Sequence, residues 1–168
     1  IERDALTLWE LKLQKFGETF RLAQLIDIDS LPFQRPKTLL QDLQQAGVES
    51  ALWNITSDTG IPAFSCQLID DPASPLNRAV PSVSGYGCHP VPEIAIKRAI
   101  DEAIQSRVTL ISGSRDDMFP SDYAAHSDTT AQARTIAQWR AQNNKIDYHS
   151  LLPQFRITDT CANFGDDI

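Results

Sequence analysis

A glycine- and proline-rich stretch that runs directly into a long helical pattern constrains this chain more than any other feature. Residues 85–93 read Gly-Tyr-Gly-Cys-His-Pro-Val-Pro-Glu, and glycine and proline are the residues that most often interrupt regular structure. Proline suits a first helical turn, because its missing N–H would be unpaired there in any case. The apolar residues that follow with helical spacing are Ile96, Ala99, Ile100, Ala103, Ile104 and Val108. The pattern therefore predicts a loop followed by a helix over residues 92–112 with one apolar face.

The rest of the chain changes from helical to strand-like periodicity and back again. Further helices are predicted at residues 2–17, 37–45 and 129–142. Strand-like runs are predicted at residues 48–56, 61–69 and 79–84. The first two runs are separated by Ser57-Asp58-Thr59-Gly60, a turn of hairpin length. These elements predict an α+β fold in which a small antiparallel sheet is packed with helices.

Composition excludes several classes of protein. A chain of 168 residues fits one domain, and its formal net charge of −7 argues against a non-specific nucleic-acid binder, which would carry a basic surface. It has no run of about 18 apolar residues, so no membrane span is predicted. Cys66, Cys88 and Cys161 are too scattered for a disulfide framework or a zinc site. We therefore expect a cytoplasmic protein.

The long helical pattern carries a polar edge that has two interpretations. Arg98, Glu102 and Gln105 share one edge at i, i+4 and i+7. In the simpler interpretation, Arg98 and Glu102 form a surface ion pair. In the functional one, Glu102 and Gln105 offer oxygen ligands to Mg²⁺, while Arg98 or Arg107 neutralises phosphate.

The stretch before the helix is also open to two interpretations. Its glycines could let backbone N–H groups approach an anion at the helix N-terminus, or they could simply make a tight turn. It is not a P-loop, because it lacks the Gly-Lys-Ser/Thr ending. Cys88 beside His89 suggests a nucleophile only weakly, because adjacent side chains usually point apart. Asp116 and Asp117 could hold a cation, but exposed turn aspartates are more common.

Two separated groups of residues resemble the YcaO family. The first group is the run from Ser84 to Pro90, together with Glu102-Ala103-Ile104-Gln105-Ser106-Arg107 and Gly113-Ser114-Arg115-Asp116-Asp117. The second is the opening Glu2-Arg3-Asp4-Ala5, which resembles the end of that family's Q-x-x-x-E-x-x-E-R motif. The resemblance implies an enzyme that binds ATP and Mg²⁺ and phosphorylates a backbone amide oxygen of a peptide or protein substrate. The products in the family are azolines, thioamides or amidines.

The resemblance also implies roles for particular residues. Glu2 and Glu102 resemble magnesium-binding carboxylates. Arg3 resembles the arginine partnered with the first of them, and Gln105 belongs with Glu102. The phosphate-side candidates are Arg98 and Arg107.

The chain departs from the family pattern in ways that shape the remaining expectations. The motif S-x-x-x-E-x-x-E-R is absent, and so are the leading Gln and first Glu of the second motif. We therefore expect residues 1–168 to be the C-terminal portion of a single YcaO-like domain, truncated at its N-terminus and inactive alone. The ending also lacks the proline-rich C-terminus of azoline-forming members, which favours the thioamide branch with its TfuA-like partner.

Other functions stay open at this point. One alternative is a non-catalytic scaffold or docking module for a partner. Another is an accessory factor for thiomethylation of a ribosomal protein. A homodimer is possible in each case.

Overall fold

The computed structural model describes residues 1–78, 80–112 and 128–156. Its α helices are α1 (Glu2–Ala23), α2 (Gln34–Gln45), α3 (Pro92–Ile111) and α4 (Thr129–Ala141). Its strands are β1 (Val48–Asn54), β2 (Ala63–Asp70) and β3 (Val83–Cys88). Short 3-10 helices follow α1 and α4, at Ile28–Ser30 and Tyr148–Gln154. The α+β class is confirmed.

The strands form one antiparallel sheet in the order β1-β2-β3. Trp53 of β1 lies opposite Ser65 of β2, which in turn lies opposite Tyr86 of β3. The predicted hairpin between the first two strands is confirmed, and Gly60 in its connection has a φ of 72°. In this register, Trp53, Ser65 and Tyr86 lie on the same face of the sheet.

Each face of the sheet is covered by helices. On one face, the buried side chains of Phe64, Cys66 and Leu68 pack with those of α3, and residues from α2 and the second 3-10 helix join them. On the other face, Trp53 packs with Trp9 of α1 and with Trp139 of α4. The two indole rings of Trp53 and Trp139 meet edge to face, with centroids 5.6 Å apart. The three tryptophans and Cys66 are therefore core residues.

The third strand lies further along the chain than predicted. The sequence indicates a strand over residues 79–84 and a loop from Gly85, whereas β3 runs through the glycines to Cys88. A Cβ on Gly85 would lie 2.2 Å from the Ala103 nitrogen, and one on Gly87 would lie 2.1 Å from the Ala95 oxygen. The prediction of a loop was wrong because these glycines serve a close approach between a strand and a helix. They form neither an anion cradle nor a tight turn.

Two helix boundaries also differ from the sequence prediction. The first helix continues past Gly17 to Ala23, although Gly17 has non-helical angles (φ 66°, ψ −158°) that break it into two segments. The second helix begins at Gln34, three residues before the predicted start. Pro36 is accommodated because N–H groups in a first turn have no intrahelical partner.

Some predicted features lie outside the described residues. They are Asp116, Asp117, Cys161 and most of the polar stretch before α4. Within the described ranges, no helix is both long and apolar enough to cross a membrane.

Candidate functional site

The outer edge of β3 brings two of the predicted site residues together. The Tyr86 backbone N–H donates a hydrogen bond to Glu102 Oε2 at 2.9 Å. Arg98 Nη1 donates to the Cys88 carbonyl oxygen at 3.2 Å. Both side chains come from α3, one turn apart, and the glycines of β3 allow that helix to lie close enough for them to reach the strand.

Arg98 and Glu102 do not form an ion pair with each other, despite their i, i+4 spacing. The i, i+4 ion pair on this helix joins Lys97 and Asp101 instead. Arg98 and Glu102 each bind the backbone of β3, so the interpretation of a simple surface pair was wrong. The backbone contacts fix where a guanidinium and a carboxylate lie relative to one strand edge.

The first turn of α1 adds a second carboxylate near the same strand. Burial raises the pKa of the Cys88 thiol, and the negative charge of Glu2 raises it further, whereas the positive charges of the N-terminal amine and of Arg98 lower it. Glu2 on α1 and Arg98 on α3 thus both act on Cys88, whereas Glu102 binds Tyr86, two residues earlier on β3.

Tyr86 connects this edge to further groups that no sequence motif indicated. Burial raises the pKa of its phenol, and the charges of Glu10 and Glu102 raise it too, while a hydrogen bond with Ser84 and the charge of Arg21 lower it. The phenol therefore stays protonated at neutral pH and can donate a hydrogen bond. Glu10 carried no motif, and only its place on α1, about two turns after Glu2, could have suggested it.

Of the other three predicted residues, Arg107 is engaged away from this edge. Arg107 pairs with the buried Asp70, from Nε to Oδ1 at 2.8 Å and from Nη2 to Oδ2 at 3.0 Å. The guanidinium is thereby committed to holding α3 against the end of β2, and we leave Arg107 out of the proposed site. The side chains of Arg3 and Gln105 are exposed to solvent.

Cys88 and His89 do not form a nucleophilic pair. The imidazole Nδ1 of His89 accepts a hydrogen bond from the Val91 N–H at 3.0 Å. The raised pKa of Cys88 keeps its sulfur in the thiol form, which is a poor nucleophile. The pKa of Cys66, wholly buried in the core, is raised to about 12 by its burial.

The donor set at the edge of β3 is suited to an anion held with a hard cation. Carboxylate oxygens are the ligands that Mg²⁺ prefers, and a guanidinium pairs with phosphate. Across residues 1–78, 80–112 and 128–156, no three His, Cys, Asp or Glu side chains are grouped closely enough to hold a metal ion. Mg²⁺ commonly binds through one or two carboxylates together with substrate phosphates, so Glu2 and Glu102 fit that mode and not an all-protein cage.

This chain matches one family model and is similar to several curated proteins. The model of YcaO cyclodehydratase, described as ATP- and Mg²⁺-binding, matches residues 1–168. An uncharacterized protein in the tfuA 3′ region of Rhizobium leguminosarum bv. trifolii is 36% identical over 138 residues, covering 81% of this chain and 32% of that protein. An uncharacterized protein of Methanothermobacter thermautotrophicus is 31% identical over 139 residues, covering 83% and 34%. The chain therefore spans about a third of the length of these curated relatives.

Solved structures with a similar arrangement are more distant. The heterocyclase TruD matches with a TM-score of 0.44 and 20% identity, over 70% of this chain and 19% of that one. The E. coli microcin synthetase McbBCD complex with pro-MccB17 bound matches with a TM-score of 0.44 and 17% identity, over 73% and 31%.

Proposed function

Because this chain belongs to the YcaO family, we propose that it is part of an enzyme that uses ATP and Mg²⁺ to phosphorylate a backbone amide oxygen of a peptide. The observation that carries the proposal is the attachment of Glu102 and Arg98 to the backbone at the outer edge of β3, with the charge of Glu2 acting on Cys88 of the same strand. Carboxylates and a guanidinium suit a magnesium–nucleotide complex.

Each side chain has a distinct task in this proposal. Glu102 uses Oε2 to accept the Tyr86 N–H, and its other oxygen faces no hydrogen-bond donor in the described part of the chain. Glu102 and Glu2 would hold the cation, and Arg98, steadied by the Cys88 carbonyl, would hold phosphate oxygens. Bound Mg²⁺ would neutralise phosphate charge while ATP supplies the phosphoryl group.

Positioning and electrostatics suffice for such a reaction. An amide oxygen is a weak nucleophile, and its phosphorylation turns it into a good leaving group. In phosphoryl transfer, the protein mainly aligns the reactants and stabilises the negative charge on the transferred phosphoryl group. The protonated Cys88 thiol is consistent with this, because the reaction requires no nucleophile from the protein.

We also propose that the product is a thioamide and that a TfuA-like protein is the partner. The support for this finer assignment is the location of one relative in a tfuA 3′ region. An azoline is the alternative product of the same amide activation, and product analysis by mass spectrometry distinguishes the two. Sulfur incorporation raises the mass of the peptide, whereas cyclodehydration lowers it by one water.

Calorimetric titration of MgATP into the complete enzyme of which this chain is proposed to be part, and into two α3 variants of it, tests the proposal. Glu102→Gln keeps an oxygen that can accept the Tyr86 N–H but removes the negative charge. Asp101→Asn is the matched control, because Asp101 directly precedes Glu102 on α3 and pairs only with Lys97 in the described part of the chain. Loss of a charged contact of this kind weakens binding by roughly 10- to 100-fold.

The outcomes separate an enzyme from a scaffold. Binding that is weakened in Glu102→Gln and unchanged in Asp101→Asn supports the proposed site. Equal binding by wild type and Glu102→Gln removes Glu102 from the site. Absence of MgATP binding by a folded protein favours a non-catalytic docking module.

A further inference from the structure

A pocket of about 330 Å³ lies between α1 and the sheet, next to the residue that binds Glu102. Its walls include the rings of Trp9, Trp53 and Tyr86, and the hydroxyl-bearing residues Ser65 and Ser84. The volume is at the small end of the range for ligand sites, and aromatic rings share the lining with polar groups. The pocket thus has the general form of a binding site for one small group.

Ser65 offers a hydroxyl to a ligand in the pocket. The residue is only 5% exposed, yet it lines the pocket. Its hydroxyl oxygen is not among the buried side-chain atoms that lack a partner in the described residues, which are the indole nitrogens of Trp53 and Trp139 and the amide oxygen of Gln132. A ligand in the pocket can therefore replace the water at this hydroxyl.

The rim of the pocket is charged and held in place. The Arg21 guanidinium lies 4.5 Å from the centroid of the Trp53 ring, hydrogen-bonds to the Gln67 side chain and pairs with Glu18 at 3.5 Å. Glu18 and Arg21 follow the break at Gly17, which itself lines the pocket. The rim therefore offers a donor and an acceptor side by side, and these are the two functions that a peptide backbone amide requires.

We propose that this pocket binds one apolar residue of the peptide substrate together with its flanking backbone amides. Aromatic walls suit an apolar side chain, the Ser65 hydroxyl suits a carbonyl oxygen, and the Glu18–Arg21 pair suits an amide group. As a statement about substrate, this inference rests on the proposed function above.

Tyr86 links the pocket to the proposed phosphoryl-transfer site. Tyr86 uses its backbone N–H to bind Glu102, while its ring lines the pocket. A peptide residue held in the pocket would thus place the neighbouring amide along the same strand, toward the Glu102 carboxylate. The pocket would select which residue of the peptide is bound, and the groups at the edge of β3 would activate the neighbouring amide.

The test uses N-acetyl-L-leucinamide, a single apolar residue with an amide on each side, as the probe. Its binding is followed by the fluorescence of the two pocket tryptophans and by calorimetry, without nucleotide. Ser65→Leu fills the pocket and is expected to abolish binding. Ser50→Leu is the matched control, because Ser50 pairs with Leu68 and so faces the opposite side of the sheet.

A milder variant keeps the test decisive if Ser65→Leu does not fold. Ser65→Ala removes one hydrogen bond and is expected to weaken probe binding by roughly threefold to tenfold. Full binding by a folded Ser65→Leu protein, or no probe binding by wild type, overturns the inference. Glu102→Gln is expected to keep probe binding. If the probe binds but MgATP does not bind even to wild type, the pocket stands and the phosphoryl-transfer proposal fails.

Discussion

Replacing Gly85 with alanine tests the close approach of β3 and α3 on which the candidate site depends. The added methyl group would lie 2.2 Å from the Ala103 nitrogen and 2.3 Å from the Ala99 oxygen. Ordinary contacts begin at 3.4 Å, so α3 would have to move outward by about 1.2 Å. The atoms in the way belong to the helix backbone, and therefore no change of side-chain rotamer can relieve the clash.

The expected effect is a net loss of stability. Overpacking of this kind costs typically about 1–3 kcal/mol, and contact with a helix backbone belongs at the upper end. Alanine in place of glycine recovers about 0.5–1 kcal/mol, because it restricts the unfolded chain. We therefore expect the free energy of unfolding to fall by about 2 kcal/mol or more, measured by urea denaturation, and MgATP binding to weaken as Glu102 moves away from Tyr86.

Two further variants test whether the clash with the α3 backbone causes the loss of stability. Ser82→Ala changes an exposed residue just before β3 and is expected to alter stability by less than about 0.5 kcal/mol. Adding Ala103→Gly to Gly85→Ala should not restore stability, because the obstruction is the Ala103 backbone. An unchanged free energy of unfolding in Gly85→Ala, or full recovery in the double variant, would refute the argument.

Two other predictions concern stability and pH. Asp70→Asn leaves the Arg107 guanidinium without the carboxylate that it contacts twice, and a broken buried pair of this kind costs about 3 kcal/mol. Urea denaturation measures that loss, and a change below about 1 kcal/mol would contradict it. Burial raises the pKa of the Cys66 thiol from 9.0 to about 12, so the unfolded chain releases this proton at a lower pH than the folded protein. The associated stability is complete below pH 9 and is lost as the pH rises toward 12, by up to about 1.4 kcal/mol per pH unit. Cys66→Ala should show a shallower decline between about pH 9 and pH 10.5, and equal slopes would contradict the assignment.

Local patterns predicted those elements that depend on local rules. The hairpin of β1 and β2 follows from alternation and a polar turn, and α3 follows from its apolar spacing and the proline at its start. The third strand could not be predicted in this way, because glycine disfavours strands in general. What permits Gly85 and Gly87 there is the backbone of α3, which only the tertiary structure reveals.

The candidate site divides in a similar way. The i, i+4 spacing placed Arg98 and Glu102 on one edge, but their partners on β3 lie 10 and 16 residues away, and spacing does not reveal them. From the sequence, Arg107 was as good a candidate for phosphate as Arg98. Its ion pair with Asp70, which is 37 residues away, could not be predicted from spacing. The pocket beside Tyr86 could not be predicted from local patterns, because its lining residues come from one helix and three strands.

The way in which Arg98 and Glu102 bind the backbone of β3 has a consequence for solubility. In the described sheet β3 has a strand neighbour on one side only, and an open strand edge is a template for pairing with another molecule. The two α3 side chains cover that edge by occupying the Tyr86 N–H and the Cys88 carbonyl. Removing both would expose backbone groups to intermolecular β-pairing at the same time as it removed the proposed ligand-binding groups. Resistance to aggregation and the proposed chemistry thus depend on the same two side chains, and variants that lack both are expected to be recovered in poor yield as well as inactive.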